Sequence, residues 1–125
     1  MCIRDRSKWE ASCSFINYNP DAVSGSTNAE FALAFALIEN HYFVNKGFLE
    51  DENQLLTNID IVRNIPTVIV QGRYDMVCPP NSANKLNYVW PKSELDIIDF
   101  SGHAMSEPEI SKGLLKATEK FKNYI

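Results

Sequence analysis

The sequence predicts an α/β fold in which two parallel strands with flanking helices follow a helical segment. Three observations carry that expectation. Thr67-Val68-Ile69-Val70-Gln71 is short, β-branched and free of charge, as a strand buried on both faces should be. Leu95-Asp96-Ile97-Ile98-Asp99-Phe100 reads as a second strand. A helical pattern lies between them and another follows, and strand–helix–strand–helix is the rhythm of a parallel sheet covered by helices.

The helical segment comes first. From Ser7 to Gly47 the chain reads as helices and loops, with turn chemistry from Asn19 to Ser26. Thr27-Asn28-Ala29-Glu30 is a capping-box pattern, Thr27 to cap and Glu30 to reach back. Phe31 to Phe43 is apolar on nearly every face, which predicts a buried helix, and Gly47 offers its stop. Glu39 is the anomaly inside it. Further on, Leu55, Ile59 and Val62 lie at helical spacing until Pro66. After the first strand, Gly72-Arg73-Tyr74-Asp75 is a turn. Ala83, Leu86 and Trp90 then mark an amphipathic helix stopped by Pro91. Ser101-Gly102-His103 is the exit loop of the second strand. Ser106-Glu107-Pro108-Glu109 reads as a second capping box, with Pro108 in the first turn where its missing N–H costs nothing. Ile110, Leu114, Ala117, Phe121 and Tyr124 form one apolar stripe. There are no repeats and no low-complexity tracts.

Composition narrows the function. At 125 residues the chain is one domain or a piece of one, and 45% hydrophobic with 22% charged residues is ordinary for a globular protein. A net charge of −4 argues against a nucleic-acid partner, because such binders present a basic face. No run approaches the ~20 apolar residues that span a bilayer, so no membrane partner is expected. Cys2, Cys13 and Cys78 are too few and too scattered for a disulfide framework or a zinc site. No metal or other cofactor is called for, and a reducing cytoplasm is the expected compartment. Met1-Cys2-Ile3-Arg4-Asp5-Arg6 has neither the core of a signal peptide nor helical periodicity. Codon by codon it resembles a translated transposase adapter end, so residues 1–6 are expected to be a sequencing scar on a gene cut upstream, and are set aside.

The chemistry rests on two loops. In parallel sheets, sites form at the carboxyl ends of strands, and Asp75 and His103 each follow a strand. Taken singly, each has an ordinary reading, Asp75 as a turn residue and His103 as an idle loop histidine. Taken in order, they match the acid and histidine of an α/β-hydrolase, whose chain order is Ser, acid, His. A serine hydroxyl needs a neutral imidazole to take its proton, and the carboxylate fixes the imidazole tautomer. The other histidine, His41, is expected to be a satisfied buried residue in the apolar helix. Cys78 is expected to be small and buried rather than nucleophilic. Phe31, Phe35, Tyr42 and Phe43 are read as core before pocket.

The resemblance then narrows. Ile65-Pro66-Thr67-Val68-Ile69-Val70-Gln71-Gly72-Arg73-Tyr74-Asp75-Met76-Val77-Cys78-Pro79 resembles the acid-bearing strand and loop of proline iminopeptidases. Ser101-Gly102-His103-Ala104-Met105-Ser106-Glu107-Pro108 is similar to their histidine loop. Trp9-Glu10 and Ile38-Glu39-Asn40-His41-Tyr42-Phe43 resemble parts of their helical cap. The resemblance implies the C-terminal part of an α/β-hydrolase core over residues 49–125, preceded by part of a helical cap over residues 7–48. It implies a serine aminopeptidase whose partner is a peptide with a free N-terminal proline. Asp75 and His103 would be catalytic, while Glu10 and Glu39 would bind the substrate's amino group. A carboxylate pair suits a secondary ammonium, and two carboxylates side by side should raise each other's pKa. The plainer reading of Glu39 is a structural ion pair with an arginine or lysine elsewhere, and that of Glu10 is surface.

Two parts of the family pattern are missing. The sequence holds no Gly-x-Ser-x-Gly nucleophile elbow and no His-Gly-Gly type loop for the oxyanion. The chain alone is therefore expected to be inactive. The competing readings are a different α/β-hydrolase, such as an esterase or epoxide hydrolase, and a small non-catalytic module.

Overall fold

The computed structural model describes residues 2–124. Met1, the first residue of the segment set aside above, and Ile125, the last of the expected core, lie outside the described residues.

Two parallel strands organise the second half. Strand β1 (Thr67–Gly72) pairs along its length with β2 (Ser93–Ile98), from Thr67 opposite Ser93 to Gly72 opposite Ile98. Helix α5 (Pro80–Val89) makes the crossover and α6 (Pro108–Phe121) follows β2. Successive strand residues point to opposite faces. On one face Gly113 of α6 comes down on Val70 and Ile98. On the other, Leu95 and Ile97 line a groove with Asn81 and Asn84 of α5. Ile110 is the buried anchor of α6, which is worth about 1.5–3 kcal/mol for a side chain of its size. Its stripe fades outward through half-buried Leu114, Ala117 and Phe121 to exposed Tyr124. The expectation that β1 is buried on both faces is corrected. Thr67 to Gln71 are half-buried, because β1 and β2 form the whole sheet among the described residues.

The first half is helical. Helices α1 (Ile3–Cys13), α2 (Pro20–Ser26) and α3 (Ala29–Val44) pack together, with Ser7, Val23 and Ala32 buried where they meet. Two sequence readings are corrected here. Ile3 to Arg6 are helical, the first turn being helped by Asp5 Oδ2, which accepts from the Cys2 N–H. Pro20–Ser26 is a short helix rather than loop, because Asn19 Oδ1 accepts from the Ala22 N–H and Pro20 opens the first turn.

Both N-caps fall one residue later than expected, and neither makes a reciprocal capping box. Asn28, not Thr27, caps α3, its Oδ1 accepting from the Glu30 and Phe31 N–H groups, while the Thr27 hydroxyl donates back to the Ser24 carbonyl. Glu107, not Ser106, is the N-cap of α6, with Pro108 in the first turn as expected. Helix α3 also corrects the expectation of burial. Phe31, Leu33, Leu37, Ile38, Tyr42 and Phe43 are all more than half or nearly half exposed, because α3 uses one narrow face around Ala32 against α1. His41 is exposed with them, its ring against Phe48 at 5.4 Å between centroids. Past the helix, Gly47 takes a φ of 63° in the turn Lys46–Phe48. The stretch with Leu55, Ile59 and Val62 forms α4 (Gln54–Thr57) and a 3₁₀ turn, Ile59–Ile61.

Candidate active site

Register places the two loop residues together. Gly72 and Ile98 are paired at the strand ends, so the loops leaving β1 and β2 start side by side. Backbone bonds then sew them to one another: Arg73 N–H donates to the Ile98 carbonyl and Tyr74 N–H to the Ser101 carbonyl. Gly72 is required for this approach. A Cβ there would stand 2.0 Å from the Gly102 oxygen, which is backbone and has nowhere to go.

Asp75 and His103 meet at the centre, Oδ2 to Nδ1 at 3.0 Å. Asp75 is 7% exposed, and both its oxygens are committed. Oδ1 accepts from the Val77 and Cys78 N–H groups at 3.0 and 2.7 Å, and Oδ2 accepts from Gln71 Nε2 at 3.2 Å. A carboxylate so surrounded by donors acts as acceptor toward the ring as well. The proton therefore sits on Nδ1, and Nε2 carries the free lone pair. The His103 side chain is 39% exposed, open enough to meet a reactant. Cys78 is exposed, against the expectation that it would be buried, because its turn sits at the outer rim with its backbone rather than its thiol engaged. Partial desolvation of Sγ, then the charges of Asp75 and Glu10, push its thiol above the usual range. That is the opposite of an activated nucleophile.

Glu10 of α1 and Glu39 of α3 also come together. One Arg6 nitrogen, Nη2, lies 3.0 Å from Glu10 and 2.7 and 2.8 Å from the two oxygens of Glu39. Both glutamate side chains are 17% exposed. Burial, then the charge of Glu39, hold the Glu10 carboxyl above its usual range, while Arg6 and His103 pull it down. Arg6, set aside in the sequence reading, is thus the cation that Glu39 finds. Beside Glu10, Phe31 and Phe35 stack at 5.6 Å and line an open cleft of about 460 Å³ with Ser14 and Phe15. These two phenylalanines, read as core, are cleft wall instead.

Two residues escaped the sequence reading. Gln71 looks like a strand residue, yet its amide reaches Asp75; its place at the strand end, four residues before the acid, was the available signal. Glu107 looks like part of a helix start, yet it is 6% exposed and its oxygens accept from the Ile16 and Gly102 N–H groups, each at 2.6 Å. Nothing in its spacing announces that bridge.

No family model matches the chain. Individual proteins do. It is 52% identical over 115 residues to a proline iminopeptidase of Xanthomonas citri, covering 92% of this chain and 37% of that protein. To a proline iminopeptidase of Arabidopsis thaliana it is 49% identical over 115 residues, 92% of this chain and 30% of that protein. The proline iminopeptidase of Neisseria gonorrhoeae is 39% identical over 120 residues, 95% of this chain and 38% of its own length. The chain thus spans about a third of the length of the curated relatives it matches. Two parallel strands with flanking helices are consistent with the C-terminal part of an α/β-hydrolase, and over nearly its whole length the chain resembles one part of the proline iminopeptidases.

Proposed function

We propose that the chain is the C-terminal part of a serine aminopeptidase that releases N-terminal proline from peptides. The observation that carries this reading is the Asp75–His103 pair standing near two half-buried carboxylates, Glu10 and Glu39, that converge from α1 and α3. Residues 7–48 would be part of the cap and residues 49–125 part of the hydrolase core. Residues 1–6 would be an adapter scar, so that Arg6 occupies the place of the substrate's ammonium. An intact gene that encodes Met1–Arg6 in the same place would remove that last point.

The reading implies the following chemistry. A serine from outside this chain attacks the carbonyl carbon of the N-terminal proline while His103 Nε2 takes its hydroxyl proton. Asp75 keeps the Nδ1 proton in place and stabilises the imidazolium. Collapse of the tetrahedral intermediate breaks the C–N bond, and His103 gives its proton to the departing amine. Water then attacks the prolyl ester with His103 again as base, and proline leaves. Glu10 and Glu39 hold the secondary ammonium, and the Phe31–Phe35 cleft offers the pyrrolidine ring an apolar wall. Unpaired Cys13 and Cys78 support a cytoplasmic site of action. Among the described residues no helix is long and apolar enough to cross a membrane.

The test is hydrolysis of a proline-arylamide by the complete protein, beside Asp75→Asn, His103→Ala and Glu39→Gln. The first two should abolish turnover, and the third should raise KM for free-amine substrates. Cleavage of simple esters with no activity on proline substrates would keep the hydrolase and remove the peptidase.

A further inference from the structure

The histidine loop is held from the cap side by a clamp built around one buried carboxylate. Glu107 Oε2 accepts from the Gly102 N–H and Oε1 from the Ile16 N–H, each at 2.6 Å. Across the same contact the Ser14 carbonyl accepts from the His103 and Ala104 N–H groups, at 2.9 and 2.8 Å. The fit is tight at Gly102, where a Cβ would stand 2.9 Å from the Ser14 oxygen. No lysine or arginine pairs with Glu107 among the described residues. A carboxylate that is buried without a cation is costly to keep, and Glu107 is satisfied by backbone donors from two segments far apart in sequence.

What those two segments carry gives the clamp its use. Residues 14–16 are the exit of α1, and α1 bears Glu10; the Ser14 hydroxyl donates back to the Glu10 carbonyl at 2.9 Å. Gly102 immediately precedes His103. We propose that Glu107 is a positioning residue that fixes the distance between the amine-binding Glu10 and the base His103. This rests on the peptidase reading above. A substrate whose ammonium is held at Glu10 presents its carbonyl at one place only, so the base must stand at a set distance from the anchor. A substrate with no ammonium has no such requirement.

The two classes of substrate therefore separate positioning from general support. In the complete protein, Glu107→Gln keeps one acceptor but turns an NH2 group toward the second N–H, which opens the clamp on one side. Displacement on the scale of 1 Å costs on the order of 100-fold, so kcat/KM for proline-arylamide should fall at least about 10-fold further than that for an aryl ester lacking the amine. Gly102→Ala leaves the carboxylate in place and presses on the Ser14 carbonyl, and it should show the same selective loss if Glu107→Gln does not fold. Parallel loss on both substrates in folded variants, or no loss, overturns the proposal while leaving the peptidase intact. A parent protein that cleaves the ester and ignores proline-arylamide overturns the peptidase reading, and the need for such a distance goes with it.

Discussion

Asp75 divides its two oxygens between two tasks. Oδ1 closes its own turn through Val77 and Cys78, and Oδ2 faces the imidazole. Asp75→Ala would lose both, and the stranded N–H groups would confuse catalysis with folding. Asp75→Asn is cleaner, because its carbonyl can keep the turn while its amide can only donate toward Nδ1. The ring is then driven to the wrong tautomer, and kcat of the complete protein on proline-arylamide should fall about 10⁴-fold with little change in thermal stability. Glu10 makes a pH prediction at the same scale. Its carboxyl is raised above the usual 4.5, first by burial and then by Glu39. The sign for stability is that the contribution of a raised carboxyl is full below its unfolded value and is lost as pH rises through the folded one. Holding a cation has the opposite demand, since only the ionised form attracts it. Binding of free-amine substrates should therefore weaken as pH falls through the raised value. Binding of a free-amine inhibitor that is not hydrolysed, which does not need His103 as a base, should show this loss as Glu10 is protonated, and Glu10→Gln should remove it. A pH dependence unchanged in that variant would separate Glu10 from the amine.

Between elements, the decisive distances are at glycines. Gly72 packs backbone on backbone, with a virtual Cβ 2.0 Å from the Gly102 oxygen; Gly113 packs on the Val70 methyl group at 2.9 Å. The first cannot yield without parting the β1 and β2 loops, whereas the second needs a side chain to shift. Gly72→Ala should therefore cost at or beyond the top of the ~1–3 kcal/mol usual for overpacking, and should separate Asp75 from His103. Gly113→Ala regains about 0.5–1 kcal/mol of helix propensity and should cost far less. Urea denaturation of the two variants in the complete protein decides it, and equal losses would contradict the distances. The same elements show what a sequence discloses. Strands, their order and the loop positions of Asp75 and His103 were legible, because β-branched runs and turn residues are local signals and parallel register does the rest. The helix caps were legible to within one residue, since Thr27 and Asn28 are both good caps and only geometry chooses. The burial of α3 was misread because an all-apolar helix tells how much surface wants cover and not what covers it. Glu107 and Arg6 were illegible, since each acts through partners that spacing does not reveal.

For the molecule as a whole, the balance between buried and open apolar surface is unusual. Among the described residues the buried hydrophobic side chains are Val23, Ala32, Ala83 and Ile110, while α3 alone exposes Phe31, Leu33, Leu37, Ile38, Tyr42, Phe43 and Val44. Soluble monomers rarely leave such continuous apolar area in water. Among the described residues the sheet has two strands and both its edges are open. The chain also covers only 37% of its Xanthomonas citri relative. Chemistry points the same way as surface: on the proposed reading these residues supply a base, an acid and an amine anchor, but the sequence holds no Gly-x-Ser-x-Gly elbow to offer a nucleophile. The 125-residue chain by itself should therefore bind a hydrophobic dye and self-associate in light scattering, and should leave proline-arylamide unhydrolysed above the buffer rate. A pure, monomeric chain that turns over proline-arylamide with contaminating peptidase excluded would mean that a nucleophile lies within these residues. The serine mechanism assigned to Asp75 and His103 would then need a different third member.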